Sequence, residues 1–516
     1  MVGAPAARPL PDAIAGFGPV VPFAGAWATR PDEVPRHAPV ARSLRPGEDK
    51  LVPSLEEVLR RIGARDGMTL SFHHHLRDGD GVVNAVLAAA AALGLRDLTV
   101  ALSSVFPVHA PLVEHIRSGV VGGIDSDYMA GPVARAVSAG ALPRPAVLRT
   151  HGGRARAIET GRLAIDAAFV AAPAADDYGN VCGVLGPTAC GSLGYAFPDA
   201  EHAARVVAVT DHLVPYPLAP VSISQVHVDH VVVVPRIGDP AGILSGTTRP
   251  TEDPVRLGIA ETAADVIRAA GLVKDGFAFQ TGAGGISLAV TRALRATMEQ
   301  RGVTGAFALG GITADLVAML DAGLFARLLD VQGFDLAAVR SLATNASHME
   351  IGASAYANPF TAGCAVNRLD CVCLGAITVD GAFDVDVITG SDGVVMGGSG
   401  GHADAAAGAD LTVVVAPALR RGRPTVVPRV TTVTTPGETV DVLVTDLGVA
   451  VNPARSDVLE RLVAADLPVR DVEDLRREAE GLAGTVPPTP AADGPIVAVV
   501  EYRDGTVIDV VRQAGG

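Results

Sequence analysis

The chain has 516 residues, a formal net charge of −15, 49% hydrophobic residues and only 4% aromatic ones. That length supports two or three domains with their own cores, and the acidic balance excludes non-specific nucleic-acid binding. No apolar run reaches membrane-spanning length and the N-terminus lacks the order of a secretory signal, so the expected location is the cytoplasm.

Five cysteines, an odd count in a large chain, argue against a disulfide framework and fit the same reducing compartment. Lys50 and Lys274 are the only lysines among 41 basic residues. An anionic substrate would therefore meet guanidinium forks, which suit carboxylates. No G-x-x-x-x-G-K-[ST] run occurs, which excludes a P-loop nucleotide site.

Residues 1–50 are rich in proline and arginine with weak periodicity and read as an extended arm. Ser54, with Glu57 three residues on, is a capping-box start for a helix through Arg61. Asp66-Gly67 then opens a strand, Met68 to Phe72, and Val82 to Leu93 reads as helix. Between them stands His73-His74-His75, where alternation puts His73 and His75 on one face, as substrate-binding candidates. A metal pair there lacks a third ligand at suitable spacing, so no metal is expected. His151-Gly-Gly-Arg154-Ala-Arg156 is either an exposed turn or a grip on a polycarboxylate or on phosphates. Arg77 and Arg249 are weaker candidates for that grip.

A Pro/Gly/Thr-rich stretch at Pro240 to Pro254 marks a boundary. Beyond it a strand (Gly276 to Phe279), a glycine cluster (Gln280-Thr-Gly282-Ala-Gly284-Gly285) and a helix (Ile286 to Gln300) follow in order. Gly282, Gly284 and Gly285, at a helix start, could offer backbone N–H donors to a tetrahedral oxyanion. Glu350, among small residues, could attack a thioester or be an ordinary capping carboxylate. Cys371 and Cys373 share one face of an apolar strand and read as core. The densest glycine stretch is Gly390 to Asp404, which holds Gly398, Gly400, Gly401 and His402. There the backbone is able to approach a ligand closely, or simply to turn. The chain closes with β-like segments (Thr425 to Thr434, Val440 to Thr445), a helix from Ser456 and a hairpin, Ile496 to Val511, turning at Asp504-Gly505.

Short matches recur at a nearly constant separation: Asp66-Gly67 with Asp275-Gly276, Gly119 with Gly323, Arg162-Leu163 with Arg368-Leu369, Asp176 with Asp380. They imply a duplication. The expected architecture is α/β, with two related, mostly parallel-sheet domains at 51–245 and 246–516 behind the arm at 1–50. Ligands in such sheets bind at the carboxyl ends of the strands.

Taken together, Gly67-Met-Thr-Leu-Ser-Phe-His73-His-His75, Thr150-His151-Gly-Gly-Arg154-Ala-Arg156-Ala-Ile-Glu159, Gly191-Ser-Leu-Gly194-Tyr195, Phe307-Ala-Leu-Gly-Gly-Ile-Thr313, Leu329-Asp-Val-Gln332 and the 390–404 stretch resemble the citrate lyase alpha subunit, from about Leu51 to the terminal hairpin. That family belongs with the CoA-transferase superfamily. The resemblance implies a citrate CoA-transferase in which citrate displaces acetate from an acetyl thioester on an acyl carrier (gamma) subunit. A beta (lyase) subunit then cleaves the citryl thioester to oxaloacetate. It implies no tightly bound cofactor, the thioester being carried on a phosphoribosyl-dephospho-CoA arm, and a hetero-oligomeric complex. It further implies a ternary complex rather than a covalent glutamyl intermediate. A malonate-type acyl-carrier transferase subunit, a thioester hydrolase and a non-catalytic scaffold are the alternatives.

Overall fold

Glycine in the left-handed region starts each strand series. Gly67 and Gly276 have φ of 77° and 84°, and Gly119 and Gly323, the next repeated pair, 77° and 73°. Side-chain-bearing residues resist that conformation, so these turns are written into the sequence twice. The computed structural model describes residues 8–29, 35–244, 249–484 and 493–514. The expected boundary at residues 245 and 246 lies outside the described residues.

The first series is β1 (Thr69–Phe72), β2 (Leu98–Leu102), β3 (Val121–Ser126), β4 (Ala146–Leu148), β5 (Ala167–Ala172), β6 (Arg205–Thr210) and β7 (His230–Val233), with helix α1 (His151–Glu159) after β4. The second is β8 (Ala278–Thr281), helix α2 (Gly285–Arg301), β9 (Gly305–Ile312), β10 (Phe325–Gly333), β11 (His348–Glu350), β12 (Cys371–Gly375), helix α3 (His402–Gly408), β13 (Leu411–Val415) and β14 (Val442–Thr445). The first sheet runs β4-β3-β2-β1-β5-β6-β7 and the second β11-β10-β9-β8-β12-β13-β14, each strand parallel to its neighbours in that order. Strand order is thus duplicated with the sequence. Helices cover both faces, so β5 is buried at every position, and Cys371 and Cys373 sit in the core of the second half.

The duplication extends to a small side sheet in each half. Asp176 accepts the N–H groups of Tyr178, Asn180 and Leu218, and Asp380 those of Ala382, Asp384 and Val430. In both places a carboxylate organises a tight excursion from the carboxyl end of an interior strand, β5 or β12.

Two features depart from a simple division at the linker. The terminal hairpin, β15 (Ile496–Glu501) and β16 (Val507–Arg512), leaves the second half and joins the first sheet, β15 pairing parallel with β4. A hairpin's local pairing is legible from its turn, but the sheet it joins depends on which edge is open, and without β15 the three-residue β4 would have one side of its backbone unpaired. The arm also spans both halves. Phe23 donates its N–H to Val507, Trp27 its indole N–H to the Ala407 carbonyl, and Arg42 pairs with Asp229 at 2.9 Å. Among the described residues no helix is long and apolar enough to cross a membrane.

Candidate active site

The carboxyl ends of the two sheets face each other across one cavity of about 500 Å³. His74 follows β1, His151 follows β4, Gln280 and Thr281 end β8 and Gly282 to Gly285 follow it, Gln332 closes β10 and Gly375 closes β12; each lines that cavity, as do Gly397 to His402. Both glycine clusters therefore share a single cleft. Two of the contacts that link the halves here are backbone ones: Gly400 donates its N–H to the Asp127 carbonyl at 3.0 Å, and the His151 N–H donates to the Gly400 carbonyl at 2.8 Å. Asp404, on α3, caps α1 of the other half by accepting from the Thr150 hydroxyl and the Gly152 N–H, both at 2.8 Å.

The glycines do not contribute equally. The Gly282 N–H is already given to the Cys373 carbonyl at 2.8 Å, and that of Gly400 to Asp127. Gly284 is the N-cap of α2 with no side-chain hydrogen bond, so the first-turn N–H groups from Gly285 onward remain open at the positive end of a 17-residue helix. Three further polar atoms near the glycines are buried without a partner: Ser399 Oγ, Thr281 Oγ1 and Gln280 Oε1.

The histidines in the cleft are neutral. Burial brings both His151 and His402 down to about 4 and pushes His74 well below its ordinary value. His402 Nε2 faces the Gly375 carbonyl at 2.9 Å, which makes it the N–H, and its Nδ1 then accepts from the Thr435 hydroxyl at 2.7 Å. His151 Nδ1 lies 2.8 Å from Asp127, whose carboxyl burial raises well above the usual range, and the His151 ring packs on Tyr195 with centroids 4.3 Å apart.

Six of the residues singled out from sequence do not line the cavity, Arg249 among them. Arg154 grips Asp199 with two hydrogen bonds of 2.8 and 2.7 Å and also bonds Ser71. Burial pushes Asp199 upward, but Arg154 holds it below the usual carboxylate range. Arg156 pairs with Glu501 at 3.3 Å, so both arginines meet carboxylates of the chain itself. His73 and His75 pack inward, His73 3.9 Å from Asp199, while His74 turns to the cleft. Alternation grouped these residues correctly, but it does not say which face is the core. Glu350 is pinned by the Leu193 N–H at 2.6 Å, behind the cleft, and burial raises its pKa. Tying Leu193 of one half to Glu350 of the other is a structural use of that carboxylate.

Among the described residues, the cavity lining includes no aspartate or glutamate, whereas it includes Arg77, Arg256, Arg420 and Arg421, none of which forms an ion pair with a described carboxylate. Of these, sequence reasoning raised Arg77 only as a weak candidate and missed the other three. Arg256 lies in the first turn of a helix and Arg420 and Arg421 at the tip of a short hairpin, and single arginines in such places carry no motif.

A parallel double sheet with an arginine-bearing, carboxylate-free, glycine-walled cleft at the strand ends defines an α/β protein of the CoA-transferase type. The family model described as citrate lyase, alpha subunit (CitF) matches residues 48–514, and the chain belongs to that family. It is 50% identical over 464 residues to the citrate lyase alpha chain of Escherichia coli strain K12, covering 90% of this chain and 91% of that one. It is 47% identical over 494 residues to that of Klebsiella pneumoniae, covering 96% of each. Among solved structures it is similar to the citrate lyase alfa subunit of Streptococcus mutans in complex with citrate, with TM-score 0.91 and 47% identity over 94% of this chain and 95% of that one. The malonate decarboxylase alpha subunit of Acinetobacter baumannii shares the fold, with TM-score 0.62 at 16% identity over 86% of this chain and 96% of that one.

Proposed function

We propose that this chain is the citrate CoA-transferase subunit of a citrate lyase, exchanging citrate for acetate on an acyl-carrier thioester. The observation that carries the reading is the cleft where both sheets end: backbone donors and arginines in its walls, and no carboxylate among the described lining residues. The citrate complex of the Streptococcus mutans relative supports the same substrate.

With no carboxylate among the described lining residues to act as a glutamyl nucleophile, the attacking group comes from the acceptor acid. A citrate carboxylate attacks the acetyl carbonyl and expels the carrier thiolate, leaving a mixed anhydride. That thiolate then attacks the citryl carbonyl and acetate departs. Each addition places negative charge on a carbonyl oxygen, and the open N–H groups at the start of α2, with Ser399 and Thr281 hydroxyls, are the available donors. Holding both acyl groups together replaces a bimolecular encounter. The exchange needs no net proton transfer, and neutral His74, His151 and His402 suit that.

Arg256, Arg420 and Arg421 suit the phosphates of a CoA-like arm on a gamma carrier subunit, the thioester end reaching inward past them. A beta lyase subunit would consume the citryl thioester in the same cytoplasmic complex. Purified chain, acetylated carrier and a panel of acceptor acids test the reading. Citrate-dependent acetate release is expected; release without an acceptor, or with malonate preferred, would replace it with the hydrolase or malonate alternative.

A further inference from the structure

Arg77 stands apart from the other arginines of the cleft. It is only 7% exposed, lines the cavity and holds a φ of 53°, a left-handed backbone that residues with side chains seldom adopt. Its guanidinium carbon lies 4.9 Å from the ring centre of Phe106, in the first half, and 5.2 Å from that of Phe334, in the second. Phe334 reaches this position because Gly311 has no side chain, a Cβ there falling 2.1 Å from the ring. Arg77 Nε is buried without a partner, and none of its side-chain nitrogens bonds a described residue. Desolvation lowers its pKa to about 10, which leaves it charged at neutral pH.

A buried cation with no ion pair to a described carboxylate, Asp78 acting on it without bonding it, is costly to keep, and strained backbone concentrates where a ligand repays it. The other buried arginines of this region are neutralised by the chain: Arg154 by Asp199, and Arg149 by Asp125 and Glu501. Arg77 is left open toward the space where the acceptor acid must lie. Its planar fork, fixed between two aromatic rings, presents its terminal nitrogens to one carboxylate.

Building on the transferase reading above, we propose that Arg77 binds a non-reacting carboxylate of the acceptor acid, and so distinguishes a polycarboxylate from acetate. Acetate has only one carboxylate, which the acyl exchange itself consumes. Arg77 therefore serves entry of the polycarboxylate and is dispensable for exchange of acetate with acetate.

The variants are Arg77→Asn, because asparagine tolerates the left-handed region, and Arg77→Lys, which keeps the charge without the fork. Citrate binding by the purified chain is measured calorimetrically, and exchange of labelled acetate into the acetyl thioester is measured with the carrier present. In Arg77→Asn, citrate affinity should fall roughly 100-fold or more while acetate exchange stays within about threefold of wild type. Arg77→Lys should lie between, about tenfold weaker for citrate, with the same acetate exchange. Unchanged citrate affinity in both variants would overturn the assignment. So would a parallel loss of citrate binding and acetate exchange, which marks a structural role. Wild-type chain that exchanges acetate but neither binds nor uses citrate would overturn the transferase reading itself, and this assignment with it.

Discussion

Gly398 lies directly against the backbone of Asp127: a Cβ added at Gly398 would fall 2.2 Å from the Asp127 carbonyl oxygen and 2.5 Å from Cα of Tyr128. The two residues belong to different halves, and the atoms met are backbone ones, with no flexible side-chain end to move aside. Gly398→Ala is therefore expected to part the loop from β3's end, costing about 1–3 kcal/mol of stability and most of the activity. At Gly282 the nearest neighbour of an added Cβ is a Leu374 methyl at 3.4 Å. Gly282→Ala should melt like wild type. Thermal melts of the two variants side by side make the comparison; equal melting temperatures would contradict it.

Glu350→Gln keeps an oxygen able to accept from the Leu193 N–H. Turnover should stay within about threefold of wild type, whereas Glu350→Ala, which strands a buried donor, should lose about 1–3 kcal/mol of stability. Hydroxylamine treatment of the working enzyme checks the chemistry, and an adduct on Glu350 would restore the covalent route.

Arg420→Ala and Arg421→Ala remove charge from the cleft without breaking an ion pair to a described carboxylate. Each is expected to raise KM for the acetylated carrier about tenfold at low salt and to flatten its salt dependence, with kcat nearly unchanged. Initial rates from low to moderate ionic strength provide the check. A fall in kcat at constant KM would place these arginines elsewhere in the reaction.

His402 gives a pH signature with a definite sign. It titrates near 4 in the folded protein and near its ordinary 6.5 when unfolded. Between those values the unfolded chain takes the proton first, so this contribution is complete above about 6.5 and is lost as pH falls toward 4. His402→Gln, whose amide can still donate to Gly375, lacks that dependence. The stability gap between wild type and variant should shrink by about 2 kcal/mol from pH 7 to pH 5 in denaturant titrations. A constant gap would mean that His402 ionises in the fold.

Neutral histidines also predict a kcat free of ionisation between about pH 6 and 8. A bell-shaped profile in that range would require a proton carrier among them.

The duplicated sheet was legible because its signals are local: left-handed Gly67 and Gly276, the Ser54 cap that accepts the Glu57 N–H, and the runs read to Phe72 and Phe279, the second of which the structure carries on to Thr281. The two glycine loops were legible as cleft walls, and both line the cavity, because backbone needs no orientation to be read. Arg154, His73 and Glu350 show the limit of that approach. Whether a charged residue faces a ligand or a carboxylate of its own chain depends on Asp199 or Leu193, brought near by folding. Arg77 is the reverse case: an arginine in a polar loop, made prominent by Phe334 arriving from the other half.

The closing hairpin also has a consequence for synthesis. Because β15 shields the outer edge of β4, a nascent chain must carry that edge bare until the final stretch emerges from the ribosome. Truncation before Ile496 should thus damage the half made first, and yield aggregates through the naked β4 margin rather than a shortened working subunit.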